Sequence, residues 1–70
     1  MMIYEITSTQ STDRFFCAEE GAALQAVRRS AEECAKEYGV DYSITKWDED
    51  CIIIDVPAGQ TFYMQRHPVL

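Results

Sequence analysis

From residue 2 to residue 9 the chain alternates, with Tyr4 and Ile6 on one parity, Glu5 and Thr7 on the other, and β-branched or aromatic residues at most positions. A period of two over that length predicts a strand. The wholly polar run Gln10-Ser11-Thr12-Asp13 reads as a turn, and residues 14–18 directly after it are expected to pair back as a brief second strand. At Glu19 the period changes. Leu24, Val27, Ala31, Cys34, Ala35 and Tyr38 recur at three- and four-residue steps, while Gln25, Arg28, Arg29, Glu32, Glu33, Lys36 and Glu37 fill the other side. This spacing predicts an amphipathic helix over Glu20–Tyr38. Glu19 and Glu20 put negative charge at its start, where the helix dipole favours it, and Gly39 is suited to a left-handed stop. The small residues Ala23, Ala31 and Ala35 let such a helix lie close on a sheet.

Beyond Gly39 the alternation returns over residues 42–47, 51–56 and 61–66. Asp48-Glu49-Asp50 is an acidic loop of hairpin length, and Pro57-Ala58-Gly59-Gln60 breaks the ladder a second time, so a β-meander is expected. Ile52, Ile54 and Val56 share one parity, which should be the face that carries the helix. By the same counting Tyr42, Ile44, Phe62 and Met64 face the helix, leaving Trp47, Ile53 and Tyr63 on the other side. The expected fold class is α+β: one amphipathic helix on one face of a mainly antiparallel sheet of four or five strands, in the order β, brief β, α, β, β, β. With a single helix, the second face of the sheet has no cover of its own.

Size and charge narrow the function. The 70 residues make one domain, and a chain this short buries only about 60% of its unfolded surface. Twelve acidic residues against six Lys and Arg give a net charge of −6, the wrong sign for gripping phosphates, so direct nucleic-acid binding is not expected. No apolar run approaches the roughly 18 residues of a membrane span, and the N-terminus lacks the basic start and apolar stretch of a signal peptide. A cytoplasmic protein with no membrane partner is expected. Cys17, Cys34 and Cys51 form no C-x-x-C pair, and the single histidine, His67, lies near a chain end where fraying is common. Reduced thiols, no metal and no cofactor are therefore expected. Cys34 falls on the apolar stripe, Cys17 sits beside Phe15 and Phe16, and Cys51 follows acids that disfavour a thiolate. Neither a nucleophile with its base nor a phosphate loop is written in the chain, and an enzyme is not expected.

The acids admit two readings. Asp41, Asp48, Glu49, Asp50 and Asp55 stand against Lys46 alone, and the helix adds Glu32, Glu33 and Glu37. They are either a solvated face with four-residue ion pairs, or an electronegative patch that docks on a basic groove where nucleic acid would lie. Three consecutive acids followed by Cys51 do not match a calcium loop. The aromatic residues Tyr4, Trp47 and Tyr63 likewise are either cross-strand packing or the anchors of a partner-binding face.

The opening Met-Met-Ile-Tyr-Glu-Ile-Thr-Ser, the Ala-rich acidic helix with Gly21-Ala22-Ala23-Leu24-Gln25-Ala26-Val27 and the short meander after it resemble, in size, charge and layout, the small acidic anti-CRISPR proteins of bacteriophages and mobile elements. The resemblance implies a non-enzymatic inhibitor that binds a CRISPR surveillance complex, often by occupying a basic DNA-binding surface. On that reading Asp48, Glu49, Asp50, Asp55, Glu33 and Glu37 supply the field, and Trp47 and Tyr63 are the anchors. The alternative is a self-associating interaction module whose uncovered sheet face forms a homodimer.

Overall fold

The computed structural model describes residues 2–57 and 59–68; Met1 of the opening motif and Ala58 of the expected Pro–Gly turn lie outside them. The elements are β1 (Met2–Ser8), β2 (Ser11–Cys17), α1 (Glu20–Tyr38), β3 (Ser43–Trp47), β4 (Cys51–Asp55) and β5 (Thr61–Pro68). The strands form one sheet in the order β2-β1-β5-β4-β3, every neighbouring pair antiparallel. The α+β architecture expected from the periodicity is the one that forms. A β1–β2 hairpin and a β3–β4–β5 meander join where β5 lies against β1, and the helix carries the chain from one sheet edge to the other. No helix among the described residues is long and apolar enough to cross a membrane.

Helix and sheet meet through small residues on one side and branched ones on the other. Ala23, Val27 and Ala31 are fully buried on α1, as is Ile54 in β4, with Ile6, Ile52, Val56, Phe62 and Met64 around them. The helix ends as its last turn requires. Gly39 adopts φ 67°, its N–H points at the carbonyls of Ala35 and Lys36, and the Val40 N–H bonds Ala35 O at 3.0 Å. The β4–β5 connection then presses on that end of the helix: a Cβ on Gly59 would lie 3.0 Å from Cys34 Sγ.

Two boundaries differ from expectation by more than one residue. The first turn comprises only Thr9 and Gln10, and β2 already begins at Ser11, because the turn is fastened to β5: Thr9 N–H donates to Thr61 O, and Thr61 N–H donates to Thr9 Oγ1, both at 3.1 Å. The polar residues that follow pair as an edge strand, whose exposed positions need no apolar alternation. At the other end of the chain β5 runs on to Pro68, opposite Met2, so His67 is paired with Ile3 rather than frayed.

A third difference changes a face. In the β3–β4 ladder Ile44 pairs with Ile54, but Lys46 pairs with Ile53 and Trp47 with Ile52, so Thr45 is an extra residue. Cross-strand partners share a face, and the bulge therefore moves Trp47 to the helix side, away from Ile53 and Tyr63, with which strict alternation grouped it. Ile44 occupies the expected face without the expected cover. Among the described residues α1 contacts β5, β1, β2 and β4 but not β3, and Ile44 remains 41% exposed.

Val27 is fully buried within the apolar cluster between helix and sheet. Val27→Asp should abolish cooperative folding, since an unpaired buried charge costs several kcal/mol in a domain whose whole stability is of that order. Circular dichroism with a thermal scan tests this; a Val27→Asp protein that melts cooperatively near the parent temperature would contradict the packing.

Candidate functional site

The β3–β4 hairpin is built from acids that do different jobs. Asp48 N–H donates to Cys51 O at 3.0 Å, continuing the ladder, and Asp48 Oδ1 accepts the N–H groups of Asp50 and Cys51, both at 2.9 Å. The side chain thus closes the turn that it begins. Those two backbone N–H groups, the Asp50 one first, with the Lys46 ammonium 3.6 Å away, hold the Asp48 carboxyl below its ordinary value of 3.8. Asp50 is tied to β5: its Oδ1 lies 3.0 Å from Arg66 Nη2, and its carbonyl accepts the Arg66 N–H at 2.9 Å. Glu49, at the tip, is exposed and makes no hydrogen bond or ion pair among the described residues. Immediately before this turn stands Trp47, 55% exposed.

The other residues of the expected site lie elsewhere. Glu33 and Glu37 flank a groove with Gln10 and Tyr38 on the last turns of α1, at the end of the sheet opposite the acidic hairpin. Asp55 pairs with Thr61 and accepts the Thr61 hydroxyl at 3.0 Å, on the face away from the helix. Tyr63 shares that face with Ile53 and is half-buried. The eight residues therefore make no single patch: Asp48, Glu49 and Asp50 gather with Trp47 at one corner, Glu33 and Glu37 lie at the far end, and Asp55 and Tyr63 are on the back of the sheet.

Sequence reasoning missed Glu5, which passed as the polar half of an alternating strand. Glu5 is only 7% exposed, although it lies on the face that the helix does not cover. Its Oε2 is 3.1 Å from Arg14 Nη1 and its Oε1 is 3.0 Å from His67 Nε2. With both oxygens engaged, the carboxylate acts as a clamp across β2, β1 and β5 rather than as a free base. No local signal could have revealed it, because its partners lie 9 and 62 residues away in sequence. Among the described residues no three His, Cys, Asp or Glu side chains converge as metal ligands, and the three cysteines are free thiols.

Comparison of the chain with protein-family models, with curated proteins and with solved structures found no match.

The depressed Asp48 pKa has a defined sign. The fold favours the ionised carboxylate, so it contributes stability that is present above 3.8 and lost as the pH falls through the lowered folded value. Asp48→Asn keeps an acceptor oxygen but not the charge. The parent should melt above Asp48→Asn at neutral pH, and the gap should close as the solution is acidified below 3.8. Melting temperatures of both proteins from about pH 2 to about pH 7 test this; a gap of constant size would mean that the charge adds nothing to the turn.

Proposed function

We propose that this protein is a small non-enzymatic inhibitor that binds another protein, using the acidic hairpin corner to dock on a basic, nucleic-acid-binding surface. The observation that carries the reading is the meeting, at one corner, of an exposed tryptophan with three consecutive acids. Tryptophan offers a large apolar area to bury in a partner's pocket, while like-signed charges around it steer approach and reject wrong partners. A net charge of −6 acts in the same direction, since it repels phosphates and draws the chain to the surfaces that phosphates occupy. The resemblance to small acidic anti-CRISPR proteins makes a CRISPR surveillance complex the partner to test, in the bacterial cytoplasm where such a complex works. Seated there, the protein would exclude nucleic acid by bulk and charge. Glu33, Glu37, Asp55 and Tyr63 lie outside the corner, and on this reading the three acids contribute only to the long-range field.

Glu49 is the cleanest probe, because Asp48 and Asp50 also hold the turn. Glu49→Lys should leave the melting temperature unchanged yet slow association with purified surveillance complexes by about tenfold at low salt, the difference fading as salt is added. Expression of the parent in a CRISPR-immune host should restore phage plating, and Glu49→Lys should weaken that effect. Light scattering separates the rival: a mass of 8.0 kDa leaves the surface for a foreign partner, whereas a salt-insensitive dimer together with no effect on plating would establish self-association instead.

A further inference from the structure

The bulge at Thr45 brings no cover to the large apolar residues of β3. An extra residue interrupts ladder pairing and is kept where it re-aims a side chain. Here it turns Trp47 onto the face that already carries Ile44, two residues that strict alternation would send to opposite sides. Neither gains burial from the change: Ile44 is 41% and Trp47 55% exposed, and α1 does not reach β3. The result is an apolar shelf over β3 beside the helix. Leu24, Arg28 and Glu32 stand one turn apart along the flanking groove of α1. Tyr42, whose hydroxyl donates to Glu32 Oε1 at 3.5 Å, closes one end, and Asp48 and Glu49 stand at the other.

We propose that this shelf seats an amphipathic helix of the partner protein, with basic residues beside its apolar stripe; the inference rests on the protein-binding reading above and names the occupant of its corner. A helix laid next to α1 would pack with its axis about 8–10 Å away, two strand spacings, which from a helix lying over β5 places it over β3. Its apolar stripe would cover Ile44 and Trp47 as α1 covers Ile52 and Ile54. Asp48 and Glu49 at one end, Asp41 beyond Tyr42 at the other and Glu32 on the wall outnumber Arg28 and the Asp48-paired Lys46, and so favour positive charge on its flanks. Addition of a partner strand to the β3 edge is opposed by the same bulge, by the Thr45 hydroxyl turned inward to Ile53 O at 3.4 Å and by Lys46. A second copy of this chain is opposed by the meeting of two net charges of −6.

Trp47 is the sole tryptophan and reports on the shelf directly. The probes are two synthetic Leu/Lys peptides of about 18 residues and identical composition, one with leucines at helical spacing and one strictly alternating. The helical peptide should shift Trp47 emission to the blue and shield it several-fold from acrylamide, and the alternating peptide should do neither. Ile44→Asp, with Ile44→Ser as its milder companion, should abolish the response while the far-ultraviolet spectrum and melting stay as in the parent. An equal or stronger response to the alternating peptide, no response to either, or a response that survives both Ile44 variants would overturn the inference. The two readings fail separately. If Glu49→Lys slows capture of a surveillance complex and Ile44→Asp does not, protein binding stands and the shelf falls. If the helical peptide seats on the shelf but no complex is captured, the shelf stands and the CRISPR reading falls.

Discussion

A single helix is too narrow for five strands. With side chains a helix is about 10–12 Å across, whereas the four spacings of a five-stranded sheet span about 19 Å. The helix here lies over β5 and its neighbours and makes use of Ala23, Ala31 and Ala35, whose short side chains bring its axis close to Ile54, Phe62 and Met64. Closeness favours tight packing at the centre at the expense of breadth. The strand farthest from the helix, β3, is accordingly exposed at every position. The bare strip over β3 follows from sheet width and helix size, before any question of function arises.

The uncovered face of the sheet meets the same shortage by other means. Glu5 lies in the middle of β1, with Arg14 from the edge strand and His67 from β5 on its two oxygens. The Arg14 side chain is largely in water, so that pair is screened and its worth is modest. Its geometric role is larger: β2 touches the rest of the sheet only through β1, and the clamp links it to the last strand of the fold.

How much of this was legible in the residues depended on whether a signal was local. The 3.6-residue stripe from Leu24 to Tyr38 and the acidic turn at residues 48–50 announce themselves within a few positions, and α1 with its Gly39 stop and the β3–β4 hairpin lie where they were expected. Residues 10–13 were misread in part because an edge strand exposed on both faces carries no hydrophobic alternation, and Ser11-Thr12-Asp13 looks the same as a turn. The side of Trp47 was misassigned because parity counting assumes an unbroken ladder. Nothing in Ser43-Ile44-Thr45-Lys46-Trp47 marks the residue that is left unpaired, since register is decided by the pairing of β4 with β5 and β3 together. The Glu5 clamp was invisible for a related reason: it is a contact between ends of the chain, created by the β1–β5 pairing that closes the sheet.

The exposed tryptophan does not stand on a frayed edge. Two devices hold the backbone around Trp47, the bulge at Thr45 before it and the Asp48 side-chain bonds to Asp50 and Cys51 after it. The second is reinforced by the Asp50–Arg66 pair, which ties the hairpin to β5. A backbone fixed from both sides leaves only the side-chain rotamers of Trp47 to be ordered when something covers it, and ordering is one of the principal costs of association. Two of the three acids are thereby committed to shape, with their charges still facing water, while Glu49 carries charge alone. Shape and field at the corner consequently come from the same short segment, so a substitution that alters only the field must spare the two aspartates.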